Sequence, residues 1–118
     1  MFSILISNTD DHLRNHGFLH EHDDVWRMAP AFDLNPDPAP GPKRLSQAID
    51  ASDRTADCRL ALAAADSYRL TRDTAGRILT EVATAVSGWQ QVAASYGLTP
   101  SEVSSMAPAF AALGDLPA

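Results

Sequence analysis

The sequence predicts a small α+β domain, mostly helical, in which a loop-rich first half with one β-hairpin precedes a C-terminal helical bundle. Three observations carry that expectation. Apolar residues between positions 55 and 113 recur every three or four residues, the period of an amphipathic helix. Two short apolar runs, Gly17-Phe18-Leu19-His20 and Val25-Trp26-Arg27-Met28, flank the polar stretch Glu21-His22-Asp23-Asp24, the pattern of a hairpin. Residues 1–44 hold all four histidines and the series Pro30, Pro36, Pro38, Pro40 and Pro42, which forbids regular structure over that segment.

In chain order, Met1 to Ser7 reads as the last turns of a helix, ended by Asn8-Thr9-Asp10-Asp11, whose side chains compete for backbone hydrogen bonds. The hairpin follows, then the proline-rich loop, a short strand over Leu45 to Ile49 and a turn over Asp50 to Arg54. Three helices complete the chain. The first spans about Thr55 to Arg69. The second has Thr71 as N-cap and a stripe of Ile78, Val82, Ala85, Trp89, Val92 and Tyr96, with Gly97 placed to end it. The third opens with the capping box Thr99-Pro100-Ser101-Glu102 and buries Val103, Met106, Ala107, Phe110 and Leu113. Residues 1–118 thus read as one domain, with site-bearing loops and hairpin over 1–54 and helical scaffold over 55–118.

Composition narrows the function classes. Of 118 residues, 45% are hydrophobic and 20% charged, with a net charge of −6, a balance that argues against wrapping a phosphate backbone. No apolar run approaches the ~20 residues needed to cross a bilayer, and nothing resembles a secretory signal. The single cysteine, Cys58, makes no disulfide framework and reads as a packing residue. A cytoplasmic protein is expected, with no direct nucleic-acid or membrane partner. Lys43 is the only lysine, so a nucleotide-contacting lysine is either Lys43 or lies on another chain.

The chemistry concentrates between Asn8 and Asn35. Asp10 and Asn15 are five residues apart in Asp10-Asp11-His12-Leu13-Arg14-Asn15, and Asp33 follows the hairpin in Pro30-Ala31-Phe32-Asp33-Leu34. Phosphoryl transfer uses such a set: one carboxylate orients a hydroxyl and accepts its proton, while an amide oxygen and a second carboxylate hold Mg²⁺ against the nucleotide phosphates. Protein kinases place a catalytic Asp and a metal-binding Asn at this offset, and then a metal-binding Asp with an aromatic neighbour. Here the aromatic, Phe32, precedes the aspartate.

Two stretches, Asn8-Thr9-Asp10-Asp11-His12-Leu13-Arg14-Asn15-His16-Gly17-Phe18 and Trp26-Arg27-Met28-Ala29-Pro30-Ala31-Phe32-Asp33-Leu34, resemble the C-terminal region of HipA-type serine/threonine kinases, the toxin halves of bacterial toxin–antitoxin pairs. Leu45-Ser46-Gln47-Ala48-Ile49 and the helix containing Trp89-Gln90-Gln91-Val92-Ala93 also resemble that family's carboxyl end. The resemblance implies a kinase-like C-lobe, with Asp10 as the catalytic aspartate and Asn15 and Asp33 as Mg²⁺ ligands. It places His12 close to the ATP phosphates and Phe32 beside the metal aspartate. It implies Mg²⁺ and ATP as cofactors, a protein substrate, and restraint by a helix-turn-helix antitoxin. The family's N-lobe, with its phosphate-covering loop and lysine, has no counterpart in these residues. The expectation is therefore a C-lobe fragment, a truncated product or one half of a split enzyme, inactive alone, whose partner would be an antitoxin or a separately encoded N-lobe.

Two other readings stand beside this one. His12, His16, His20 and His22 lie among Asp10, Asp11, Asp23 and Asp24, and imidazoles with carboxylates suit a transition-metal hydrolase. The bland alternative is that His16, His20 and His22 are exposed or locally hydrogen-bonded and that Asp11 is a solvated loop carboxylate. A non-catalytic binding module, docking an antitoxin or a separate N-lobe through apolar surface, is the other.

Overall fold

The computed structural model describes residues 1–117. It is a small α+β structure: helix α1 (Phe2–Leu5), strands β1 (Phe18–His22) and β2 (Val25–Met28), then helices α2 (Cys58–Ala63), α3 (Arg72–Ser87), α4 (Trp89–Ser95) and α5 (Pro100–Met106). Short 3₁₀ turns over Leu13–Asn15, Ala65–Tyr68 and Ala107–Gly114 connect or extend them. No helix among the described residues is long and apolar enough to cross a membrane.

The core is helical, with α1 at its centre. Ile4, Leu5 and Ile6 pack with Cys58 and Leu62 of α2 and with Ala75, Leu79, Ala83 and Val86 of α3. Four residues of helix have no stability of their own, so α1 exists because Leu5, fully buried, is gripped by α3 and by the 107–114 turn. That placement fixes where the following loop begins. Ser7 takes a left-handed backbone (φ 53°), and the Asn8 N–H returns to the Ser3 carbonyl at 2.7 Å, which turns the chain out of the core at Thr9.

The helices depart from the sequence expectations for identifiable reasons. The first starts at Cys58, not Thr55, because the Asp57 side chain caps it by accepting from the Arg59 N–H at 2.7 Å. The second breaks at Gly88 into α3 and α4. Glycine is a poor interior helix former, and the hydroxyls of Thr80, Thr84 and Ser87 bond back to carbonyls three or four residues earlier, which bends a helix. The buried stripe of α3 is Ala75, Leu79, Ala83 and Val86, one position round from the expected stripe. Ile78 and Val82 lie half-buried, whereas Ala85, Val92 and Tyr96 are exposed. The third helix tightens into a 3₁₀ turn after Met106, since Pro108 has no N–H to continue the α pattern. The capping box at Thr99 and Glu102 forms as the sequence predicts, and Trp89 stacks on Phe110 with centroids 4.1 Å apart.

The expected strand over Leu45 to Ile49 does not form. Isolated bridges, Arg44 to Thr55 and Asp50 to Asp53, close that segment, and among the described residues it has no neighbouring strand to pair with. The hairpin forms with a shorter turn than expected: both strands run to Asp23-Asp24, where Asp23 adopts φ 46°, and the register shifts between His20 and His22. Every residue of both strands is exposed.

Candidate active site

The loop that leaves α1 carries Asp10, His12 and Asn15, and three sets of bonds shape it. At its far end a single 3₁₀ turn, Leu13–Asn15, brings Asn15 back under His12: the Asn15 N–H donates to the His12 carbonyl at 2.8 Å, and the His12 N–H donates to Asn15 Oδ1 at 3.2 Å. In its middle, Asp11 is a tether. Its carboxylate accepts from Ser3 Oγ at 2.8 Å and pairs with His16 Nε2 at 2.8 Å. Asp11 is therefore not a solvated loop carboxylate, because α1 supplies a donor that spacing within the loop could not reveal. At its near end the Thr9 carbonyl accepts from both the N–H and the hydroxyl of Ser46, at 3.0 and 2.8 Å.

Asn15 is buried and Asp33 arrives from beyond the hairpin to meet it, with Asn15 Nδ2 donating to Asp33 Oδ2 at 2.6 Å. Asn35 Nδ2 donates to the other carboxylate oxygen at 2.7 Å. Asp33 itself has φ 56°, a left-handed conformation that Asp and Asn adopt more readily than other side-chain-bearing residues. The two flanking amides hold it there. Phe32, exposed, leans towards Gly17: a Cβ built on Gly17 would lie 3.7 Å from its ring. Asp11, Asn15, His16, Gly17, Ala29 and Phe32 border a cleft of about 600 Å³. Asp10 is exposed, and its own carboxylate takes no part in the bonds described above.

Of the residues singled out by sequence, the structure joins Asn15 to Asp33 directly and places His12 one hydrogen bond from Asn15. His12 Nδ1 is buried without a partner, as is Asn8 Nδ2. An unmet buried group of this kind costs about 1–3 kcal/mol. The donor chemistry suits a hard divalent cation. The two oxygens of Asp33 are matched by neutral amides, not by a protein cation, and rotation of the Asn15 amide would present a second hard oxygen beside them. Mg²⁺ accepts such a sparse protein set because it retains several waters.

Lys43, which follows the expected metal aspartate in sequence and so stands in the wrong place for the nucleotide-contacting lysine, is engaged elsewhere: its ammonium donates to the Asp37 carbonyl, to Asp37 Oδ2 and to the Ala39 carbonyl at 2.8, 3.0 and 2.6 Å, which pins the proline-rich loop. The histidine-carboxylate metal centre is not assembled. Among the described residues no three His, Cys, Asp or Glu side chains gather to hold a metal. His16 pairs with Asp11, and His20 bonds the Asp23 carbonyl in the hairpin turn. Sequence reasoning also missed Ser46 and Gln47. The Gln47 side chain donates to the Asp11 carbonyl at 3.1 Å and lies 3.4 Å from His16 Nε2. The available signal was two polar residues inside the run Leu45–Ile49, which the absent strand would have left without a purpose.

The family model for the HipA-like C-terminal domain matches residues 1–89. No curated protein and no solved structure matches the chain. The matched span includes the whole of the site, together with α2 and α3, and it ends at the break between α3 and α4. This chain belongs to the HipA-like C-terminal domain family.

Proposed function

We propose that this chain carries the catalytic-loop portion of a HipA-like protein serine/threonine kinase of a toxin–antitoxin pair, with a kinase-like C-lobe architecture. The observation that carries the reading is the 2.6 Å contact between Asn15 and Asp33, residues that a metal-binding role would require to be neighbours although the hairpin separates them. In this reading Asp10 accepts the proton of a protein hydroxyl as its oxygen bonds to the γ-phosphorus of ATP and the bond to the ADP oxygen breaks. Asn15 and Asp33 hold Mg²⁺, which when bound neutralises charge on the phosphate oxygens. His12 and Phe32 lie beside the nucleotide. Positioning supplies most of the rate in such reactions, so a chain whose remaining nucleotide contacts come from a partner lobe transfers phosphate poorly by itself.

Calorimetric titration of Mg²⁺ with ATP tests the reading. Wild-type chain should bind more tightly than Asp33→Asn, and equal affinities would count against it. Incubation with ATP, Mg²⁺ and a generic protein substrate tests the second part, since robust transfer abolished by Asp10→Ala would refute inactivity in isolation.

A second reading is favoured by the hairpin. Phe18, Trp26 and Met28 are 66%, 62% and 57% exposed, and an isolated two-stranded ribbon is at best marginally stable in water. Such a surface suits docking of an N-lobe or a helix-turn-helix antitoxin. A cognate partner of either kind whose binding survives Trp26→Ser would exclude this face.

A further inference from the structure

Two peptide carbonyls flank Asp10, those of Thr9 and Asp11, and both are held by the same pair of residues from beyond the proline-rich loop. Ser46 donates twice to the Thr9 carbonyl, from its N–H at 3.0 Å and its hydroxyl at 2.8 Å, while Gln47 Nε2 donates to the Asp11 carbonyl at 3.1 Å. The peptide unit before Asp10 and the one after Asp11 are thereby fixed from residues 37 and 36 positions away, while the Asp10 side chain is left exposed. The bonds stabilise the loop, and beside an exposed carboxylate they also fix the backbone that carries it. A proton acceptor gains a defined position, and misplacing a reacting group by about 1 Å can cost about a hundredfold in rate.

We propose that Ser46 and Gln47 form a brace that sets the position of Asp10, and that they are positioning residues for phosphoryl transfer. The proposal rests on the reading of Asp10 as proton acceptor. Gln47 adds a second function to the brace, because its amide also meets His16, the partner of Asp11. Ser46 and Gln47 thus restrain both ends of the dipeptide Asp10-Asp11 without touching the reacting groups.

The test uses the ¹⁵N-labelled chain as wild type, Ser46→Ala, Ser46→Thr and Gln47→Glu. Gln47→Glu keeps the side chain's shape but turns an acceptor towards the Asp11 carbonyl. Backbone order parameters at Asp10 should fall from about 0.85 to below about 0.6 in Ser46→Ala and Gln47→Glu. They should return to the wild-type value in Ser46→Thr, with Leu79 and Ala83 of α3 unmoved throughout. Unchanged order at Asp10 would overturn the proposal, and so would a parallel loss at Leu79, which would make the pair merely structural. A second arm adds Mn²⁺ with ATP and reads paramagnetic broadening at the Asp10 amide. Broadening at Asn15 and Asp33 should persist in Ser46→Ala and Gln47→Glu, while the ratio of Asp10 to Asn35 broadening changes. An identical ratio in all four proteins would also overturn the brace. If wild type shows no broadening at Asn15 or Asp33, the metal reading fails and the order parameters still decide the brace.

Discussion

Asn15 Nδ2 and Asp33 Oδ2 meet at 2.6 Å across 18 positions of sequence that include the whole hairpin. The amide also secures its own loop, since Asn15 Oδ1 accepts from the His12 N–H at 3.2 Å. One buried side chain therefore joins the end of the Asp10 loop to the strained backbone of Asp33.

Removing that side chain should destabilise the fold as well as the site. Asn15→Ala leaves the His12 N–H and one Asp33 oxygen without their partner, a loss of about 1–3 kcal/mol. Urea denaturation should show a lowered midpoint at unchanged slope. Asn35→Ala, which removes an exposed bond to the same carboxylate, should cost clearly less. Equal losses would mean that burial of Asn15 does not matter.

Acid should weaken the fold through carboxylates that spacing alone did not single out. The Asp115 carboxyl is held below its usual range by hydrogen bonds from the Arg59 guanidinium, at 2.7 and 3.0 Å, and by its charge. Asp37 is lowered first by the Ala39 N–H and then by Lys43, and Asp53 by the Thr55 N–H. Each folded-state value lies below the unfolded one, so the stabilisation is complete above the unfolded value near about pH 4 and is lost as pH falls through the folded values. Arg59→Met should lower the melting temperature slightly at neutral pH, and the difference from wild type should vanish at about pH 2. A difference that persists in acid would assign the loss to packing of the Arg59 stem.

Cys58 should be chemically quiet. Burial raises its thiol pKa above the ordinary value, and the side chain sits within the core formed with Ile4, Leu62 and Leu79. Ellman's reagent should react with the native chain at the rate of global or local opening and stoichiometrically only in denaturant. Rapid native labelling would contradict this packing.

The rotation of the α3 stripe is testable by a pair of truncations. Leu79, 4% exposed, should cost about 2–5 kcal/mol when changed to Ala. Ile78→Ala should cost clearly less, because Ile78 is only half-buried. The reverse order would restore the stripe that the sequence suggests.

Local signals were the legible part of this chain. The hairpin, the Thr71 and Thr99 caps and the helical character of the second half follow from turn residues, capping side chains and apolar period. What escaped depends on partners distant in sequence. No spacing rule reveals that Ser3 would reach Asp11, or that Ser46 and Gln47 would hold the peptides at either end of Asp10-Asp11, because those bonds exist only once α1 is set in the core. The helix breaks at Gly88 and after Met106 were visible in principle, as a glycine following back-bonding hydroxyls and as Pro108. The apolar stripe running through them argued for continuity and was the weaker guide. At the site, Asp10, Asn15 and Asp33 stood out by chemical type and offset, whereas the left-handed backbone of Asp33 and the burial of Asn15 did not.

The most direct measurement of the central claim is paramagnetic broadening of backbone amides by Mn²⁺ in the presence of ATP, compared between wild type, Asn15→Ala and Asp33→Asn. Broadening centred on residues 10, 15 and 33 that disappears in both variants is the result expected of a cation held between Asn15 and Asp33 next to Asp10. Broadening centred on the acidic hairpin turn at Asp23-Asp24, or left intact by both substitutions, would contradict it.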